Sequence, residues 1–177
     1  MEKEVKMDLK TLTLLAEYNR KTNAAMNTII QKLEPSQWDQ EFKGFFNSIH
    51  SLCNHIYLGD FNWLKRFAKL RTFAYSQKPL FDQDLRFGTT VIDTVEDYLE
   101  KRAVLDQQLI ELVNQLVPDD LGQYLEYVDS QGKAYKRLFG GLVLHCFNHQ
   151  THHRGMISVY LDSLGLDNDF SNLAGMV

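Results

Sequence analysis

LFGGLVLHCFNHQTHHRGMISVYLDSLG, residues 138–165, is the stretch on which the fold and the chemistry both turn. It holds no proline, and its apolar residues recur at three- and four-residue steps. It therefore reads as one long helix from Leu138 to Leu164, with Gly165 just past its end. Leu138, Leu142, His145, His149, His153, Met156, Tyr160 and Leu164 form the row expected to face inward. A lone histidine on such a row is usually a core residue with one hydrogen-bond partner. Three are harder to place, because each buried imidazole needs partners for both nitrogens. Residues four apart on a helix lie about 40° apart and roughly 6 Å along the axis, so His149 and His153 can share one ion. His149 with His152 is also sterically possible, and spacing alone does not choose between them.

Working outward, the chain carries three more long amphipathic segments. The first helix is expected over Met7 to Leu33, with Leu9, Leu12, Leu15, Tyr18, Ala25, Ile29 and Leu33 on one face, before Pro35. The second is expected over Gly44 to Leu70, with Phe45, Ile49, Leu52, Ile56, Trp63, Phe67 and Leu70 as its stripe. The third is expected over Thr89 to Val117, with Pro118 after its end. Between the second and third lies an irregular stretch, Arg71 to Gly88, with few apolar anchors. It is long for a plain connection, which suggests that it covers a site. YLEYVDSQGKAYKRLF reads as a short hairpin turning at Asp129-Ser130-Gln131-Gly132. The expected fold is all-α: a single four-helix-bundle domain over residues 1–177 with a small β-hairpin before the last helix.

A third ligand must come from another helix. His55 sits between Leu52 and Gly59 at the edge of the second stripe and can point inward. His50 is about 140° away and is expected to face outward. Gly59, one turn below His55, leaves room for a ligand. Cys146 is three residues before His149, but free cysteine is among the most buried residue types and packing is the ordinary role for it. Trp38 and Trp63 read as core.

Composition narrows the function. The net charge is −4 with no Lys/Arg block, so a nucleic-acid footprint is absent. No apolar run reaches the roughly 18 residues needed to span a membrane. MEKEVKMDLK has no apolar signal core, and two cysteines make no disulfide framework, so a reduced, cytoplasmic setting is expected.

Four stretches resemble the DinB/YfiT-like family of metal-binding helical bundles. LLAEYNRKTN is similar to its first helix and SIHSLCNHIYLGDFNWLKRF to its second. YVDSQGKAY is similar to its hairpin, and LVLHCFNHQTHHRGM to its last helix. The resemblance covers most of the chain. It implies an up-down-down-up bundle and one divalent metal held by His55, His149 and His153, with His152 a neighbour. It also implies a homodimer. Met156 departs from the family, which often has Gln there, and that removes a polar group from the turn after His153. Relatives of this family include transferases and isomerases that use low-molecular-weight thiols. The resemblance thus implies a zinc or nickel site that activates a small thiol against an electrophilic substrate.

Three neutral histidines leave a coordination position open, as catalytic zinc sites do. His145, Tyr18, Asp60 and Arg154 are candidate neighbours of the ligands. For Tyr18 and Asp60 the ordinary roles are core packing and helix-surface hydrogen bonding. Arg154 suits either an acidic cofactor group or a salt bridge to Asp60 or a neighbouring helix, and the structural role is favoured. Asn19 and Asn23, at helical spacing, are ordinarily solvated. Two other functions stay open. A metal-dependent hydrolase needs a general base, and no Glu stands between His149 and His153. A non-catalytic metal bundle needs a fourth protein ligand, for which Cys146 or His145 is the best candidate.

Overall fold

The computed structural model describes residues 7–177; the N-terminal hexapeptide read above for a signal lies outside the described residues. Four long helices make the bundle: α1 (Leu9–Ile30), α3 (Ile49–Phe67), α4 (Val95–Gln115) and α6 (Phe139–Ser163). Two single-turn helices, α2 (Pro35–Trp38) and α5 (Pro118–Leu121), follow α1 and α4. Strands β1 (Tyr124–Val128) and β2 (Ala134–Leu138) pair antiparallel ahead of α6, with Tyr127 opposite Tyr135. The hairpin turns where expected, with Asp129 Oδ1 accepting from the backbone amides of Gln131 and Lys133. Gly165 also meets its expectation: it adopts φ 74° after α6, a left-handed conformation costly for other residues.

Each long helix packs on two others, in the ring order α1, α4, α3, α6. Contacts fix the directions. His55 meets His153 while Phe67 meets Phe139, so α3 and α6 are antiparallel. His50 meets Ile92 and Asp60 meets Arg102, so α3 and α4 are parallel. Asn19 and Asn23 of α1 reach both Arg154 on α6 and Asp106 on α4, and a Cβ on Gly140 at the start of α6 would meet Met7. The bundle is therefore up-down-down-up. Leu12, Met26, Ile30, Leu52, Phe61, Leu105, Leu112 and Leu161 are essentially sealed from solvent, each worth about 1.5–3 kcal/mol of burial. No helix among the described residues is long and apolar enough to cross a membrane.

Several sequence expectations shift. The second long helix starts at Ile49 rather than Gly44, because Ser48 caps it by accepting from the Ser51 amide. Phe45, expected in its stripe, is 91% exposed, and Phe46 packs on the site instead. The third starts at Val95 with Thr94 as its cap. The connection between them is better anchored than its sequence suggested. Phe73, Tyr75, Phe81 and Ile92 are buried, and two 3-10 turns span Ala74–Gln77 and Pro79–Asp82. It then runs back along the outer face of α3. There Asn62 donates to Leu85 O, and Asn54 donates to Thr89 O while accepting from the amides of Val91 and Ile92.

Candidate metal centre

The site forms where α3 and α6 cross. The Ser48 cap sets the start of α3 and so puts His55 two turns along it. On the other side, α6 grows directly out of β2, and the Phe139 amide donates to Gln123 O at 2.8 Å. The hairpin thus fixes the register that brings His149 and His153 opposite His55. His149 Nε2 lies 3.1 Å from His55 Nε2 and 3.0 Å from His153 Nε2, and one nitrogen from each ring falls within 4.8 Å of the others. His152 is exposed and touches only the flank of the His153 ring, so the converging pair on α6 is His149 with His153. Gly59 makes this possible. A Cβ there would stand 2.9 Å from His149 Cε1, so the missing side chain makes room for the imidazole itself.

Burial first, and neighbouring imidazoles second, push all three histidines down to about 4. They are neutral at physiological pH. The Nε2 of His149 faces two other ring nitrogens. That atom has one in-plane site, so a hydrogen on it serves only one of the two contacts, and without one it has a single lone pair for both. A cation relieves this. Two nitrogens held about 2.0–2.1 Å from a tetrahedral zinc ion stand roughly 3.3 Å apart, close to the spacing found. The cluster is compatible with a divalent metal, and no fourth His, Cys, Asp or Glu joins it among the described residues. The Nδ1 atoms of His149 and His153 are buried with no protein partner among those residues.

The row expected to face inward on α6 lies at the edge of the core, with Leu142, His153 and Tyr160 buried. His145 and Leu138 are exposed and His149 is half-buried. The most deeply buried positions are one step round the helix, at Val143, Cys146, Phe147, Gln150, Arg154, Ile157 and Leu161. That rotation leaves the imidazoles open on one side. Phe46 covers part of it, its ring 4.3 Å from that of His55, and Phe87 stands 5.9 Å away.

The candidate neighbours are spread around the site, and none of them hydrogen-bonds a ligand imidazole. His145 packs edge-on against Trp63, its ring 6.1 Å from that of His149. Asp60 is not a surface carboxylate. It is sealed, pairs with Arg102 at 2.6 Å, and accepts from Gln150 and Cys146. Burial raises its pKa against the pull of Arg102. Arg102 also lies 3.0 Å from Asp106, which accepts from Asn23 at 2.8 Å. Arg154 donates to Asn19 and Asn23 and stacks over the Tyr18 ring. Asn19 and Asn23 are thus buried rather than solvated. The structural role favoured for Arg154 meets these contacts on a neighbouring helix, with Asn19 and Asn23 rather than Asp60 as its partners; the rest of the network escaped sequence reasoning because its members are polar and up to 135 residues apart. The helical spacing of Asn19 with Asn23 was the one local signal. Cys146 points into the same network, its Sγ 3.5 Å from Asp60 Oδ1, and burial holds its thiol well above the usual range. His50, expected to face outward, is half-buried, with Nδ1 2.7 Å from Asp39 and Nε2 2.7 Å from Ile92 O.

Comparisons with known proteins agree with this architecture. Protein DinB of Bacillus subtilis (strain 168) is 27% identical over 158 residues, covering 85% of this chain and 84% of that protein. The crystal structure of a DinB-like protein of Bacillus subtilis, YjoA, matches with a TM-score of 0.60, covering 90% of this chain and 96% of that one. At 15% identity, that match is a likeness of fold. The sequence signature of the DinB family matches residues 3–172, and the chain belongs to that family.

Proposed function

We propose that His55, His149 and His153 hold a zinc or nickel ion through Nε2, and that the open side of the site takes a low-molecular-weight thiol for transfer to an electrophilic small molecule. The observation that carries this is the convergence of three neutral imidazole nitrogens with no fourth protein ligand among the described residues. When bound, the ion supplies Lewis acidity that lowers the pKa of a thiol placed against it. The chain's own residues do the rest. Burial keeps the three rings uncharged, so their lone pairs are available and the doubly positive charge is left to attract an anion. Phe46 shields the His55 side from water, and Gly59 keeps the His149 ring in place.

A carboxylate-assisted hydrolysis would need a general base near the open position, and Asp60, the carboxylate read for that part, is committed to Arg102, Gln150 and Cys146. The thiol reading rests on the family resemblance, and the thiol panel below separates it from hydrolysis by a water that the metal itself acidifies.

Elemental analysis of protein purified without a histidine tag is expected to give about one equivalent of zinc or nickel. The Co²⁺-substituted protein is expected to develop a sulfur-to-cobalt absorption band with a thiol panel, and to catalyse metal-dependent conjugation to a broad electrophile. Absence of metal sinks the proposal. Metal without any thiol response points to a non-catalytic metal bundle.

A further inference from the structure

We propose that the cleft beside His55 is a subsite for a flat, uncharged group, an aromatic ring or conjugated carbon skeleton, belonging to the molecule that reacts at the metal centre. This rests on the metal site proposed above. The cleft encloses about 260 Å³, and His55 forms part of its wall. A guest there lies directly against one of the three converging imidazoles.

The chemistry of the wall selects the guest. No Asp, Glu, Lys or Arg lines the cleft among the described residues. Phe46, Leu58 and Phe87 supply carbon surface, with the rings of both phenylalanines against His55. The polar side chains of the wall are occupied within the protein. His50 spends both nitrogens on Asp39 and the Ile92 carbonyl. Asn54 spends its amide on Thr89 O and the amides of Val91 and Ile92. Ser48 and Ser51 bond to each other's backbone, and Thr89 donates to Arg86 O. The Thr90 hydroxyl alone has no partner among the described residues. A ring entering the cleft gains offset or edge contacts with two aromatic side chains. A charged tail gives up water and meets no counter-charge.

Phe87 is also the partition. Beyond it lies a second cleft of about 430 Å³ that carries Lys65, Arg66, Lys69 and Arg86 against Asp84 and Asp129. The two clefts make opposite demands on a guest, so charge distinguishes them.

Three hydroxamates share one chelating head and differ only in the tail. Acetohydroxamate, benzohydroxamate and 4-carboxybenzohydroxamate are titrated into the full-length Co²⁺-loaded protein and followed by visible absorption. Benzohydroxamate is expected to bind about tenfold tighter than acetohydroxamate, as two aromatic contacts allow. The added carboxylate is expected to remove most of that gain. Phe87→Ala is expected to abolish the preference while cobalt content and acetohydroxamate affinity stay the same, and Phe87→Tyr to restore it. Equal binding of the acetyl and benzoyl compounds, or tightest binding of the carboxylated one, overturns the subsite while leaving the metal centre standing. Failure to take up Co²⁺ overturns the metal centre and the subsite together, and bound Co²⁺ that no hydroxamate perturbs overturns the open position and the subsite with it.

Discussion

Gln150 and Arg154 stand one residue beyond His149 and His153 on α6, yet the two polar clusters they define are built on opposite principles. The inner cluster pairs opposite charges, although Arg102 Nε has no hydrogen-bond partner among the described residues. Arg102 lies between Asp60 and Asp106, while Arg154 is held by Asn19, Asn23 and Gln150. Two positive and two negative charges balance with no ion from outside. The outer cluster gathers three like groups, neutral imidazoles whose Nε2 atoms face one another. The first balances its own charge, as buried charge must. The second is compatible with a divalent cation. A rotation of about 100°, one residue on a helix, separates a structural network from a ligand-hungry one.

The comparison breaks if the inner cluster can lose a member without cost. Arg102→Ala leaves Asp60 and Asp106 buried beside each other without their shared counter-charge. It is expected to cost about 3–5 kcal/mol in chemical denaturation. A loss under 1 kcal/mol would show the network is solvated in practice.

The outer cluster fails in a different currency. His149→Ala or His153→Ala is expected to weaken metal binding by about 3 kcal/mol, a quarter share of the roughly 10–16 kcal/mol of a four-ligand zinc site. Helical circular dichroism is expected to hold. Stoichiometric, equally tight metal in both variants contradicts the assignment. Gly59→Ala sharpens the point. Alanine favours helix over glycine by about 1 kcal/mol, so stability need not fall. Its methyl group nonetheless displaces His149, and affinity measured by chelator competition is expected to drop about 10–100-fold, the scale of a lost ligand support. Cys146→Ser tests the boundary between the clusters. It is expected to change stability by about 1 kcal/mol and to keep the metal. Loss of metal there would point to a site closed by sulfur.

The smallest effect concerns pH in the metal-free protein. The three histidines sit at about 4 when folded and near 6.5 when unfolded. Between those values the unfolded chain binds more protons, so their contribution is intact above about 6.5 and is lost as pH falls toward 4. Asp60 and Asp106, whose pKa values burial raises (Asp106 to about 6), have the opposite sign and are common to wild type and variant. The His55→Gln, His149→Gln, His153→Gln triple variant is therefore expected to lose less melting temperature than wild type over that window. Parallel curves would mean the rings are not desolvated.

The amino-acid pattern by itself determined the four long helices, the hairpin and its turn, and the end of α6 at Gly165. These rest on local periodicity and turn chemistry. It also determined that His149 lies within reach of His153 on one helix, since helical geometry fixes that distance. The choice of His153 over His152 came from resemblance and not from spacing, whereas His55 was the partner that its place at the edge of the second stripe already offered. Tertiary packing alone decided which sector of α1 and of α6 faces the centre, whereas the expected stripe of α3 is buried at Ile49, Leu52, Ile56, Trp63 and Phe67. In α1 and α6 the buried sector is rotated off the purely apolar stripe, toward Asn19 and Asn23 in one and Gln150 and Arg154 in the other. Polar residues read as outward until their partners are known, and here the partners lie on other helices, up to 135 residues away. Only when four helices meet do those charges find one another, and the same meeting leaves His55 and His149 half-buried at the rim.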